Sequence, residues 1–453
     1  MRNHPQSQPN FKPTPPSLAW FPDLVAEVWI LSLGQLFLFI GQGFTLVYAS
    51  IYFVNQLGFS PAQVGFALGC SGISGTIGRF FAGTLVETPG IGRRGTLIAS
   101  SVVSAIACFV LSISATLPLL ILGNVLLGIG ISFYWPATLT LTTDLTSIHQ
   151  RTEAFALTRL ADNLGLGVGA FLAGQYIAMS GNFRLLFVCK GVAYLLFGLI
   201  IALTIAETLS PNDRPSTDTQ NIDPDHPANR HTLWLKWKSA LSDRTFLPYL
   251  LANLFFTTYV AQLSSTLPLY LANFVPEGNT DTGFSEQWIS YFFVWHAALK
   301  IVLQLPLVHC WIQAINHVTV LLSALLFWAA GFVCVWITGA ISTHAVIVAI
   351  LSFTIIAIAE VLYAPASTAI VSDIAPVELR GFYFSLDSEC WAIGFLIGPA
   401  IGGWALGHTA TGSYIWLGLA LSAIVTTVLL FVLKRRLFQA HQVGKTAIMG
   451  LDA

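Results

Sequence analysis

Hydrophobic runs long enough to cross a bilayer recur along most of this chain, separated by short polar stretches. A hydrocarbon core roughly 30 Å thick asks for about 20 apolar residues per helix. On that measure the pattern predicts helices 1 to 12 at about residues 27–53, 61–86, 95–115, 117–143, 154–180, 183–206, 244–274, 285–310, 317–338, 343–371, 382–407 and 411–434. Six precede and six follow a polar break, PNDRPSTDTQNIDPDHPANRH, whose proline and acid content forbids a packed core. The expectation is an all-α membrane protein of twelve transmembrane helices in two six-helix bundles, over 24–206 and 244–434. A cytoplasmic linker over 207–243 joins them, with a disordered cytoplasmic tail over 1–23 and a second tail over 435–453.

The two halves share a stretch. Residues 134–174 and 363–403 align without a gap at a constant offset of 229. Tyr134 falls on Tyr363, Pro136 on Pro365, Asp144 on Asp373, Arg151 on Arg380, Phe155 on Phe384, and Gly165, Gly169 and Gly174 on Gly394, Gly398 and Gly403. Two prolines, two acids and two arginines in register point to copies of one design, and internal repeats underlie transporter folds.

Composition agrees with a lipid-facing exterior: of 453 residues 55% are hydrophobic and only 9% charged, with mean hydropathy +0.73. A net charge of −1 leaves no basic surface to neutralise phosphates, which argues against nucleic acid. The cysteines are scattered singly through apolar stretches, and no His/Cys/Asp cluster has metal-ligand spacing, so no metal is expected. With the amino terminus inside, the 20 lysines and arginines, less Arg184 at an outer loop and Arg159, Lys190 and Lys300 within spans, leave 16 at cytoplasmic positions. That satisfies the positive-inside rule and predicts cytoplasmic termini in a plasma membrane of the bacterial inner-membrane type.

At this point the chain resembles the major facilitator superfamily from about residue 24 to 436. The loop after helix 2, with Gly83, Glu87, Gly92, Arg93 and Arg94, looks like the family's loop signature, with Glu87 where Asp is usual and about two extra residues before Gly92. The matching loop around Trp311 to His317 has lost the pattern. An acid and arginines at neighbouring helix mouths can hold one gate state together. On helix 11, Gly394-x3-Gly398-Pro399-x2-Gly402-Gly403 is similar to the glycine-rich motif of the family's exporters, the drug:proton antiporter branch. Helix 5 carries a reduced form at Gly165, Gly169 and Gly174. Small residues four apart also let helices approach closely in lipid.

An ionisable group inside a span is costly, so each is a functional candidate by default. Glu360 lies near the middle of helix 10, three residues before Tyr363. The resemblance implies that helices 1, 4, 7 and 10 line the central cavity, where a carboxyl can carry a proton as its exposure alternates. The alternative is a structural pin between helices. Arg159 and Asp162 share a face of helix 5 and neutralise each other, or Asp162 pairs with Lys300 on helix 8 to close one face. Arg79 on helix 2 is expected to pair across the second interface with Asp387 or Glu389. Asp144, Arg151, Asp373 and Arg380 complete the gate set. Lys190 is expected to snorkel or pair locally, and His296, His309 and His317 to be packed or interfacial. Gln35 and Gln42 with Tyr48, Thr258 and Gln262 with Ser265, and Asn124 with Tyr134 form polar stripes that suit a neutral or amphipathic cargo or serve as interhelical glue.

The sequence therefore predicts a secondary transporter working by alternating access on a small molecule. Protons and lipid are its other partners, it has no cofactor, and family members generally work as monomers. Export and metabolite uptake both stay open, as does a sensor or lipid-handling protein on the same scaffold. No phosphate-cradling loop points to ATP, and nothing points to an enzyme.

Overall fold

The computed structural model describes residues 24–88, 90–147, 150–208, 241–276, 283–307, 315–341, 343–376, 379–408 and 411–449. The expected tail over 1–23 and nearly all of the linker, with Arg214 and Arg230, lie outside the described residues, as does His309.

The first half comprises α1 (Ala26–Gln56), α2 (Pro61–Glu87), α3 (Gly92–Ser112), α4 (Leu117–Asp144), α5 (Arg151–Ser180) and α6 (Phe183–Thr204). In the second half are α7 (Phe246–Ser264, continued by Thr266–Asn273), α8 (Glu286–Leu307), α9 (His317–Ala340), α10 (Ala345–Ile374), α11 (Arg380–Leu406) and α12 (Ile415–Met449). Local chemistry sets several boundaries. Ser60 and Gln63 form a reciprocal capping box at the start of α2, with Pro61 at its first position. Gly181 takes the left-handed conformation, φ 65°, that closes α5, and Asn182 then caps α6.

Among the described residues nine helices are long and apolar enough to cross a membrane. The other three, α2, α5 and α8, have 27, 30 and 22 residues and carry the glycines and buried polar groups that meet between the halves. The last helix runs to Met449, past the expected boundary at 435. Arg436 donates there to the Arg244 carbonyl at the start of the second half.

The packing repeats. In the first half α1 packs on α5 and α6, α2 on α4, and α3 on α4 and α6. Adding six to each number reproduces the second half: α7 on α11 and α12, α8 on α10, α9 on α10 and α12. Two long seams join the halves, α2 with α11 and α5 with α8, and the same operation exchanges them; a smaller contact joins the last segments of α1 and α7. The repeat extends to helix irregularities. α1 breaks at Val47 and α7 at Ser265, positions related by 265 − 47 = 218.

The two ends of the bundle differ. At the end away from Arg93 and Arg94, hereafter the far end, one hydrophobic core crosses both halves, joining Tyr48, Phe53, Ala173 and Phe187 to Tyr270, Phe284, Ile289 and Trp416. At the opposite, basic end the first half has its own separate core around Leu38, Leu97, Tyr134 and Phe197. Close approach of backbones explains the far-end seam. A Cβ on Gly69 would lie 2.8 Å from the Leu396 carbonyl oxygen, and one on Gly65 would overlap the Pro399 carbonyl oxygen. Asn55 and Asn273, again 218 apart, exchange two side-chain hydrogen bonds of 2.9 Å across the pseudo-twofold. Tyr48 adds a 3.0 Å bond to the Glu286 carbonyl.

Candidate functional site

Glu360 is 8% exposed, halfway along α10, and its carboxylate is held from α8. Lys300 Nζ lies 2.7 Å from Oε2 and His296 Nε2 lies 3.6 Å from it. Their spacing of four residues puts the ammonium and the imidazole on one face of α8, one turn apart. The group is therefore internal to the second half. The expected Asp162–Lys300 pair, breakable between access states, is not formed in this conformation: α8 packs on both α10 and α5, and Lys300 is turned to α10. Arg159 lies with its guanidinium 5.2 Å from the Trp135 ring centre, and no ion pair joins it to Asp162 among the described residues.

The polar stripes are bonded inside each half. Gln35 Nε2 donates to Tyr134 Oη at 3.0 Å, and Gln42 donates to Tyr194 Oη on α6. In the second half Tyr363 Oη donates to Asn253 Oδ1 at 2.6 Å, while Asn253 Nδ2 and Tyr249 Oη donate to Asp387 Oδ1 at 2.8 and 2.5 Å. Gln262 Nε2 donates to the Gly398 carbonyl at 3.0 Å. Thr258 and Asn124 donate to the carbonyls of Leu254 and Leu120 on their own helices, 2.8 and 2.9 Å away. Gln35, Gln42, Gln262 and Tyr363 therefore bond between helices, while Thr258 and Asn124 bond within their own. Asn253, Tyr249 and Asp387 were not read as one cluster. The available signal was that Asn253 lies in the half-repeat of Gln35, 253 − 35 = 218.

Lys190 is 5% exposed and donates to Thr45 Oγ1 at 2.8 Å, so it neither snorkels nor meets lipid. Arg79 crosses the α2–α11 seam and donates to the Ser388 carbonyl at 2.5 Å, close enough to Glu389 to feel its charge. Asp387, offered as an alternative partner, belongs to the Tyr249–Asn253 network.

The basic end carries a matched pair of clasps. Arg93 Nε lies 3.1 Å from Asp144 Oδ2, tying the start of α3 to the end of α4. His317 Nδ1 lies 3.0 Å from Asp373 Oδ2, tying the start of α9 to the end of α10. The second-half loop lacks the signature, and His317, expected to be packed or interfacial, stands there where the first half uses arginine. Glu87 is exposed and makes no ion pair among the described residues, and Gly83 has nothing within 4 Å of an added Cβ. The engaged acid is Glu207, whose two carboxylate oxygens accept from the Arg93 and Arg94 backbone N–H groups at 3.0 and 3.1 Å. This is an anion seated on a helix N-terminus, reached because Gly92 turns the chain with φ 62°. Arg94 donates to the Ala202 carbonyl. Arg151 Nε is buried without a hydrogen-bond partner, and the Arg380 side chain lies outside the described residues. Because Asp373 is exposed and His317 is partly so, we expect His317→Ala to change thermal stability by no more than about 1 kcal/mol, read by melting of the purified protein.

A model described as the Major Facilitator Superfamily matches residues 31–275 and 271–447. The chain belongs to the major facilitator superfamily. Among its superfamily relatives, the multidrug resistance protein MdtH of Photorhabdus laumondii subsp. laumondii is 23% identical over 430 residues, 92% of this chain and 98% of that one. A Na(+), Li(+), K(+)/H(+) antiporter of Planococcus maritimus is 24% identical over 382 residues, 81% and 86% of the two chains. The crystal structure of a POT family transporter in complex with a thioalcohol-conjugated peptide superposes with TM-score 0.73 at 14% identity, over 90% of this chain and 96% of that one. The superfamily fold and the character of a membrane transporter rather than an enzyme are thereby established.

Proposed function

We propose that this chain is a proton-coupled secondary transporter that exports a small neutral or amphipathic compound by alternating access, with Glu360 as the proton carrier. The observation that carries this reading is the Glu360–Lys300–His296 group. A carboxylate buried in a span persists only with partners, and here they stand on α8, which also packs against the other half. A proton on Glu360 removes the charge that holds Lys300 Nζ and so loosens α8, the helix that packs on α5 of the other half, from α10. The antiporter and multidrug relatives support exchange and export as the direction.

All twelve helices cross the membrane in this reading, with both termini on the cytoplasmic side, and the chain works as a monomer. Arg93, Arg94 and Asp144 then face the cytoplasm, and the far-end seam of Gly65, Gly69, Asn55 and Asn273 is the outer gate, shut in this conformation. Alternating access requires that seam to open. Ser290 is fully buried in it, where a Cβ on Gly174 would strike the Ser290 side chain. In a cysteine-free background, Ser290→Cys should react with a membrane-impermeant maleimide added outside. The rate should fall at least tenfold when Asn55→Cys and Asn273→Cys are first bridged by a short bifunctional thiol reagent, read by mass spectrometry of the peptide containing residue 290. No labelling under any condition would contradict an opening outer gate.

A further inference from the structure

Comparison of the two halves exposes a site that is complete in one and incomplete in the other. Tyr134 and Tyr363 are repeat partners, and each is bonded to an amide, Gln35 and Asn253, that are themselves 218 residues apart. Each half also carries a carboxylate on its fifth helix beside this pair, though not at matching positions: 387 − 229 = 158 is Thr158, and Asp162 stands one turn further along. In the second half it is Asp387, which receives hydrogens from Asn253 and Tyr249, and the Asn253 oxygen receives one from Tyr363. Every acceptor used there is filled by the protein.

In the first half the carboxylate is Asp162, 5% exposed, and the amide is Gln35, 1% exposed. Gly165 meets α1 at Leu36, Phe39 and Ile40, and Gly169 meets it at Ile40 and Gly43, so the parallel register brings Asp162 to the level of Gln35. Asp162 is close enough to Tyr134, the hydrogen-bond partner of Gln35, to act on it electrostatically. Yet Asp162 Oδ1 and Gln35 Oε1 are both buried with no hydrogen-bond partner among the described residues. The reason lies in the repeat. The position matching Tyr249 is 249 − 218 = 31, and Leu31, fully buried, has no hydrogen to give. Gln35 spends its own donor on Tyr134 in the direction opposite to that in the second half.

Two buried oxygen acceptors at one level, neither of them given a hydrogen bond, define the chemistry of what they take. We propose that Asp162 and Gln35, beside Tyr134, bind one monovalent cation in the first half, either a proton shared between the two oxygens or an alkali ion ligated by them. A proton on Asp162 would remove its buried charge and give the carboxyl a hydrogen to donate to a neighbouring acceptor. The neighbouring charges leave room for it. Arg159 on the same helix stacks on Trp135 and reaches Asp162 through its charge, with no ion pair between them among the described residues; α1 brings no charge to this level, α4 brings Tyr134, and Lys300 and His296 on α8 are held by Glu360. The inference depends neither on Glu360 carrying protons nor on the cargo.

The test is thermal melting of the purified full chain in nonionic detergent, followed by its tryptophan fluorescence. Choline chloride is replaced by sodium, lithium or potassium chloride at constant ionic strength, at pH values from 5.5 to 8.5. Stabilisation by an alkali chloride at fixed pH identifies the alkali ion; stabilisation on acidification alone identifies the proton. In either case Asp162→Asn, which supplies a permanent hydrogen, should abolish the response, and Gly418→Ala, at an open position of α12, should retain it. Gln35→Leu should raise the half-effective cation concentration at least tenfold, and it carries the test if Asp162→Asn does not fold. A response unchanged in these Asp162 or Gln35 variants, or no response of the wild type to pH or alkali ions, overturns the proposal.

Discussion

Lys300→Met is expected to destabilise the protein by about 3 kcal/mol, the lower part of the range of about 3–5 kcal/mol for stranding a buried charge. The lower part applies because the Lys300 side chain is 29% exposed, so water already meets part of the ammonium. The loss comes from what stays behind. Glu360 would keep a carboxylate at 8% exposure with only His296 at 3.6 Å beside it. Glu360→Gln in the Lys300→Met background should therefore recover most of the loss, because a neutral amide of the same shape needs no counter-charge. A double-mutant cycle by denaturant or thermal melting reads both effects. If the double variant is as unstable as Lys300→Met alone, the two side chains are not coupled and the proton-carrier group loses its basis.

Gly398→Leu should cost at least 3 kcal/mol, or prevent accumulation of folded protein, while a leucine at lipid-facing Gly418 costs little. The first methyl of a side chain at 398 would already stand 2.8 Å from Ala261 Cβ and 3.2 Å from the Thr258 carbonyl oxygen, and Gln262 donates to the Gly398 carbonyl itself. No rotamer relieves a clash made by Cβ, so α11 must move off α7, and overpacking of this kind commonly costs about 1–3 kcal/mol before any helix shift. At Gly418 nothing lies within 4 Å of an added Cβ. Yields of folded, monodisperse protein from matched membranes decide it; equal yields would show that α7 and α11 are not closely packed.

Why some of this was legible and some not follows from where the repeat keeps its residues. Tyr134/Tyr363 and the paired glycines stand at one offset without a gap, so the fold and its duplication could be read directly. The α1/α7 equivalence was hidden because its offset is 218, with 229 − 218 = 11 residues' difference elsewhere in each half. Along those helices little is shared beyond Tyr52/Tyr270, Asn55/Asn273 and a few apolar residues. Gln35 and Asn253 differ in length, so their common role shows only once each is seen bonded to its tyrosine. The Gly65-x3-Gly69-x2-Gly72 row of α2 was visible but was not read as the seam it forms with α11. Partner choice for Lys300 could not be read at all. It depends on the rotation of α8 between two neighbours, and periodicity places a residue on a face without saying which neighbour that face meets. His317 escaped because the clasp kept its geometry and Asp373 while exchanging the basic residue.

The central claim is proton-coupled export through Glu360. The most direct measurement is untargeted metabolite profiling of cells and of their medium, for wild type and Glu360→Gln at matched expression of folded protein. The account predicts at least one small neutral or amphipathic compound enriched in the medium with the wild type alone, with the enrichment lost when the proton gradient is collapsed. A compound enriched inside the cells, or an identical profile for both proteins, would contradict it.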